Sequence, residues 1–399
     1  MRRCVLLLVP VLGVLWPHVA AAQTDQDFRQ CNGTDPVLAI LGCTKVIVSR
    51  DSSPRLRSLA LVNRGNAYLM RRQNELAVAD YDQAILLDAK NSTALAARGS
   101  YYQAQRENDR ALSDLNQATL INPKDSNAFL QRANFYLGTG EPERAIPDYD
   151  QAIALDPKNV SAYVNRGEAN RVQGEDDRAI ADYDAALKLD PKFVAAYDDR
   201  GLALADKGDY DRAIADFDSA LRLDPKFNLV YSHRASAYAG KGANDRALAD
   251  FAQAIKLNPN DPSIYVSRGN IYQGQNNLDR AIEDYSRALA IDAKFPDAFN
   301  NRGTAYARKG DYERAIADYD SAIRLDPKLA SAYANRGLAL IKAGQYARAI
   351  ADLDRALIGD PKDALSLYNR GVAKQMLGNS ISGDLDVINA RSIDPNVGK

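Results

Sequence analysis

Two periods run through the apolar and polar positions of this chain. The short one is helical and the long one is 34 residues. Both are clearest from Phe299 to Lys328, FNNRGTAYARKGDYERAIADYDSAIRLDPK. With Pro296 as position 1, Phe299, Gly303 and Tyr306 fall at positions 4, 8 and 11, one face of a helix at about 3.6 residues per turn. Ala315, Ile316, Tyr319, Ala322 and Ile323 form a second helical stripe at positions 20, 21, 24, 27 and 28. Gly310 between the stripes suits a helix C-terminus, and Asp311 suits the cap of the next helix. Asp326-Pro327-Lys328 closes the segment, because proline cannot continue a helix. The pattern predicts two antiparallel helices, A and B. It recurs ten times in strict phase, most visibly as an Arg-Gly step from Arg64-Gly65 to Arg370-Gly371, with Arg132-Ala133 and Arg234-Ala235 in two of the places.

A period of this size predicts a stacked array in which each repeat touches mainly its neighbours. Small residues at Gly303, Ala315 and Ala322 let the helices approach, and Tyr319 fills the space between them. The same place holds Tyr81, Tyr149, Tyr183, Phe217, Phe251 and Tyr285, with Leu115, Leu353 and Val387 as weaker versions. This set resembles the tetratricopeptide repeat: a large residue at 4, Gly or Ala at 8, Tyr at 11, Ala at 20, an aromatic at 24, Ala at 27 and Pro at 32. The resemblance spans residues 58–397. It implies an all-α fold, an α-α superhelical solenoid of helix-turn-helix repeats, with A helices on the concave face.

Several repeats depart from the pattern. Ala89 and Ala293 replace the closing proline, so those B helices are expected to run on. Pro147 inside a B helix removes a backbone hydrogen bond and is expected to kink it. Asn170 and Lys374 replace the apolar residue at position 11. Gly383 and Val387 weaken the last B helix, and a polar outer side is expected there, as befits a terminal cap.

Ahead of the array, residues 1–22 read as a signal peptide. Arg2 and Arg3 precede the apolar run Val5–Trp16, which is too short to cross a bilayer as a helix, and Ala20-Ala21-Ala22 gives a small-residue cleavage site. A retained anchor is the alternative. Residues 23–57 then form an N-terminal capping segment. In PVLAILGCTKVIV, Ala39, Ile40, Cys43 and Val46 have the spacing of a B helix, as in half of a degenerate repeat. Cys31 and Cys43 are an even pair in a chain read as exported, periplasmic or secreted, which points to a disulfide. A buried Cys43 beside a free Cys31, or a metal site, are the other readings. Lys45–Arg72 holds seven basic residues and one acid, Asp51. That is either a solvated end or a contact for anionic envelope components.

The candidate binding residues lie on the face of helix A turned away from helix B. Position 6 reads Asn63, Ala97, Gln131, Asn165, Asp199, His233, Ser267, Asn301, Asn335 and Asn369, with Asn66, Asn134, Asn270 and Asn300 alongside. An amide both donates and accepts, so such a column can hold the backbone of an extended peptide without reading its sequence. The column resembles the asparagine ladder of some tetratricopeptide arrays. It can equally serve to solvate the groove and start helix A. The family's carboxylate clamp is not expected, because Arg171, Arg308 and Lys342 lack its spacing. A second ladder pairs Arg at position 7 with Asp at position 23 in every repeat, at the flank of the A–B seam. Ion pairs between the helices are expected there. Arg at position 19, in eight repeats, reads as a solvated charge.

The 399 residues are 46% apolar and 26% charged, with a net charge of −1. That near-neutral balance, with bases interleaved among acids, argues against nucleic acid. His233 is the one histidine beyond the leader, and no nucleophile elbow, phosphate loop or metal-ligand spacing occurs, so neither catalysis nor a cofactor is expected. The expectation is a non-enzymatic scaffold that binds an extended protein or peptide segment in its concave groove. It carries no integral membrane span in the mature chain, and no feature of the sequence fixes an oligomeric state. The alternative is a structural subunit of an envelope secretion or polysaccharide-export assembly.

Overall fold

The computed structural model describes residues 22–399, with backbone alone for 22–25. The expected leader lies outside the described residues apart from Ala22, which opens the first helix. Two compact units are present, divided between Asp209 and Tyr210. The first holds α1 (Ala22–Cys31), α2 (Pro36–Val48), α3 (Pro54–Met70), α4 (Asn74–Leu87), α5 (Ser92–Ala104), α6 (Asn108–Ile121), α7 (Ser126–Gly138), α8 (Pro142–Leu155), α9 (Val160–Val172), α10 (Asp176–Leu189) and α11 (Val194–Asp206). The second holds α12 (Tyr210–Leu223), α13 (Asn228–Gly240), α14 (Asn244–Leu257), α15 (Pro262–Gly274), α16 (Leu278–Ile291), α17 (Pro296–Arg308), α18 (Tyr312–Leu325), α19 (Ala330–Lys342), α20 (Tyr346–Gly359), α21 (Ala364–Met376) and α22 (Ser380–Ile393). No strand occurs among the described residues. Within the first unit, each B helix from α2 to α10 packs against its own A helix and the A helix that follows; in the second, α14, α16, α18 and α20 do the same, α12 packs against α13, and α22 packs against α21.

The core is built as the small-residue pattern requires. Tyr81, Tyr149, Tyr183, Tyr285 and Tyr319 are fully buried, as are the alanines around them. A Cβ placed on Gly303 would lie 2.9 Å from the Tyr319 ring, and one on Gly65 would lie 2.6 Å from Tyr81. Glycine there allows a close approach rather than an unusual backbone. The A–B turn has the other requirement. Position 15 is left-handed throughout, filled by glycines such as Gly310 (φ +83°) and by Arg72, Arg106 and Asn276 at +59°, +63° and +60°. Asp311 caps α18 by accepting from the Arg314 N–H at 3.1 Å.

Two expectations about helix ends change. The B helices before Ala89 and Ala293 do not run on: α4 stops at Leu87 and α16 at Ile291. The stop is made by the aspartate at position 31. Asp88 and Asp292 turn extended, and their Oδ1 atoms accept from the N–H two residues on, Lys90 at 3.0 Å and Lys294 at 2.8 Å. The same turn stands at Asp156, Asp190, Asp224, Asp326 and Asp360, so proline is an addition to it. Pro147 sits on the exposed side of α8, which continues through it from Pro142 to Leu155.

The capping segment is a helix pair. In α2, Ala39, Cys43 and Val46 are buried, and α1 supplies a short A helix against it. Gly42 makes the contact tight: a Cβ there would lie 2.7 Å from the Asp27 carbonyl oxygen. Cys31 and Cys43 are joined by a disulfide. At the other end, the stacking positions 21 and 28 of α22 are Asp384 and Arg391, both exposed, in place of the aliphatic residues of other repeats. The outer side is not uniformly polar, however. Ile381, Leu385 and Ile388 are 83%, 57% and 62% exposed one turn round the helix.

Candidate protein-binding face

Each A helix is fixed first by its position-7 arginine. In the first unit Arg64, Arg98, Arg132 and Arg166 hold Asp80, Asp114, Asp148 and Asp182 through Nε and Nη2 at 2.6–3.0 Å. In the second unit Arg234, Arg268, Arg302, Arg336 and Arg370 hold Asp250, Asp284, Asp318, Asp352 and Asp386 at 2.7–2.8 Å. These aspartates are buried. The planar guanidinium forks match the carboxylates, and donating hydrogen bonds to those aspartates raises the arginine pKa above its ordinary value.

The remaining arm, Nη1, reaches back to position 25 of the preceding repeat. Asp82 takes Arg98, Asp150 takes Arg166, Asp218 takes Arg234, Asp320 takes Arg336 and Asp354 takes Arg370, at 2.5–2.8 Å. Asn116 and Ser286 stand in the aspartate's place and accept from Arg132 and Arg302. Thr44 in the cap receives Arg64 at 3.1 Å, which puts α2 in register as a B helix. The recurrence of Asp at position 25 was a readable signal for this bond between repeats, and reasoning within one repeat missed it. Asn170 and Lys374, the departures at position 11, join the same ladder: each donates to its repeat's aspartate, Asp182 at 3.0 Å and Asp386 at 2.8 Å. For Asp386, burial opposes ionisation, but hydrogen bonds from Arg370 and Lys374 hold its carboxyl below the usual range.

Arginine at position 19 is more than a solvated charge. Arg110, Arg144 and Arg314 lie 3.8, 4.1 and 4.7 Å from the ring centres of Tyr102, Tyr136 and Tyr306, the position-11 aromatics, while pairing with Glu107, Glu141 and Asp311. The basic stretch Lys45–Arg72 is partly neutralised. Lys45 pairs with Asp27 at 3.0 Å, Arg64 with Asp80, and Arg57 donates to the Ser49 carbonyl.

The position-6 residues are half-buried on the A helices, and several of them are tied to the repeat before. Asn165 Nδ2 donates to Asn134 Oδ1 of the preceding repeat at 2.8 Å, and Asn301 donates to Asn270 at 3.1 Å. Those same oxygens accept from the Tyr149 and Tyr285 hydroxyls, both at 2.8 Å. Asn66 Oδ1 accepts from Tyr81 at 2.6 Å. Asn335 donates to Asn300 at 3.1 Å and to Thr304 at 3.5 Å. Gln131 accepts from Ser100 and donates to Asn127. Asn63 donates to Asn32 at the α1–α2 turn at 2.6 Å. Asn369 is half-buried at the corresponding place on α21. So position 6 of one repeat is tied to position 9 of the one before, and position 9 to the core tyrosine. A carboxamide has two N–H groups and two oxygen lone pairs, so each retains capacity for a ligand beyond its neighbour.

The tetratricopeptide repeat profile matches residues 130–192, 199–262, 266–330 and 303–378, together more than half of the chain. The chain belongs to the tetratricopeptide repeat family. Members of this family are typically protein-interaction scaffolds without catalysis. Among solved structures, the chain is similar to the Cut9-Hcn1 hetero-tetramer of the APC/C, at 18% identity and TM-score 0.50, over 94% of this chain and 83% of that one. It is also similar to yeast Tom70 at 17% identity and TM-score 0.48, over 93% and 90%. The tetratricopeptide protein YrrB matches at 28% identity and TM-score 0.38, over 46% of this chain and 95% of its own. No curated protein matches. Among the described residues, no helix is long and apolar enough to cross a membrane.

Proposed function

We propose that this tetratricopeptide repeat protein is a scaffold that binds an extended protein segment along its A helices. The observation that carries the reading is the set of half-buried amides on the A helices of each unit: Asn63, Gln131 and Asn165 in the first, Asn301 and Asn335 in the second, all tied by hydrogen bonds to the segment before them, with Asn369 half-buried at the same place on α21. A fixed amide loses little freedom when it pairs with a peptide backbone, which favours binding. Neutral amides also leave the sequence of the segment unread, apart from charges placed beside them. The Cys31–Cys43 disulfide supports an oxidising compartment outside the cytoplasm.

The test is binding of a library of unstructured peptides to the full chain, compared with a variant carrying Asn301→Ala, Asn335→Ala and Asn369→Ala. Binding lost by about tenfold or more in the variant supports the groove. Because these amides also join repeats, the melting temperature is followed in parallel. A second variant, Arg212→Gln, on a B helix, controls for general surface effects. Equal binding by the wild type and the Asn variant refutes the reading.

A further inference from the structure

The B helix of the cap, α2, is apolar on all sides apart from Thr44 and Lys45. Its inner face, Ala39, Gly42, Cys43 and Val46, is buried. At 100° per residue, Val37, Leu41 and Val48 point the opposite way with Leu38 at their edge. These four are 47%, 55%, 72% and 48% exposed. The other B helices of the first unit differ from it at two of these places. Where α2 has Val37, they have Glu75, Asp109, Glu143 and Asp177. Where it has Leu41, they have Ala79, Ser113, Pro147 and Ala181. Leu76 and Leu86 on α4 and Leu120 on α6 stand where α2 has Leu38 and Val48, but among the B helices of the first unit α2 alone carries large aliphatics at all four places, which marks an interaction surface. The helix has 13 residues, about 20 Å of rise, too short to cross a hydrocarbon core of about 30 Å.

Charge decides the occupant. Lys45, Arg50 and Arg55 are exposed beside or just beyond the C-terminal half of α2, and Lys90 is exposed at the end of the neighbouring B helix. Leu86, at the place on α4 that Val48 takes on α2, is 85% exposed. The α2 helix itself holds no acid; Asp27 of α1 pairs with Lys45, and the exposed Asp35 and Asp51 flank the two ends, against Arg50, Arg55 and Lys90 at the C-terminal end. An apolar stripe edged by cations fits the boundary of an anionic bilayer. The aliphatic side chains would enter the acyl region while the long cationic ones reach the headgroups. We infer that the outer face of α2 docks the protein on an anionic lipid surface, lying in the interface and leaving the A-helix face free. This does not depend on the groove reading.

The experiment is co-sedimentation of the full chain with phosphatidylcholine vesicles, with and without phosphatidylglycerol. The wild type is compared with a Leu38→Gln, Leu41→Gln, Val48→Gln variant and with an Arg50→Gln, Lys90→Gln variant. The wild type is expected to prefer anionic vesicles, by about fivefold per cation, with the preference fading in high salt. The apolar variant is expected to bind about tenfold more weakly or less. Its helicity should be unchanged, since the replaced side chains are half or more exposed. Three outcomes overturn the inference. The apolar variant binds as the wild type does, which puts any lipid contact elsewhere, such as Val5–Trp16. The charge variant keeps the full anionic preference. Or the wild type ignores vesicles and self-associates through a face that the apolar variant abolishes, which makes the occupant a second copy.

Discussion

Replacing Arg336 with methionine tests the inter-repeat ladder most sharply. Arg336 on α19 holds Asp352 on α20 through two bonds of 2.7 Å and Asp320 on α18 through one of 2.5 Å. Its side chain is 17% exposed, that of Asp352 10% and that of Asp320 39%. Methionine keeps the length and apolar stem, so packing is largely retained. The bond to Asp320 is solvated and contributes less than about 1 kcal/mol. The Asp352 bond differs, because removing the arginine leaves a buried carboxylate without its counter-charge, at a cost of about 3–5 kcal/mol. Arg336→Met should therefore destabilise the second unit by roughly 3–5 kcal/mol. Arg336→Met combined with Asp352→Leu should recover most of that, since no buried charge remains. Urea denaturation of the full chain followed by circular dichroism, with hydrogen exchange to localise the loss to α18–α20, gives the double-mutant cycle. A loss below about 1 kcal/mol for the single variant, or additive losses in the pair, would show that these arginines are only surface charges.

Three further outcomes are expected. Arg106→Gly should raise stability by up to about 1 kcal/mol and Gly310→Ala should lower it by about 1–2, because both sites are left-handed and a Cβ at Gly310 meets no neighbour, so only backbone strain acts. Opposite shifts in urea midpoint check this. Replacing Cys31 and Cys43 together with serine should loosen the α1–α2 hairpin by about 2–3 kcal/mol for a separation of 12 residues, seen as faster hydrogen exchange in α1 and little change beyond α4. At high pH, burial pushes the Tyr319 hydroxyl up to about 12 from 10.0, and raises Tyr81 and Tyr285 as well. The unfolded chain releases these protons first, so their contribution to stability is complete below pH 10 and is lost as pH rises toward about 12. Phenolate absorbance and ellipticity should then change together. Early ionisation of these tyrosines in a chain that stays helical would contradict the burial argument.

The sequence by itself determined the local architecture. A 34-residue period with glycine at 8, alanine at 20 and 27 and an aromatic at 24 leaves one way to bury both stripes, a close-packed helix pair. The Arg–Asp bond within a repeat was legible for the same reason, since both partners are fixed relative to one seam. What tertiary structure decided lies between repeats. The arm that most of these arginines send to the preceding repeat, the link from Asn301 to Asn270, and the stacking of Arg314 on Tyr306 depend on distances that spacing along one helix does not give. Helix ends show the limit from the other side. Ala89 removes the proline signal, yet α4 still stops, because the Asp88 side chain captures the Lys90 N–H before another helical bond can form. The outer face of α2 shows it again. Apart from Thr44 and Lys45 its residues are apolar on every side, and only the packing of α1 and α3 against one side shows which of them remain in contact with solvent. Periodicity specifies which side chains share a face. It does not specify what that face meets, because that is set by neighbours brought together from elsewhere in the chain.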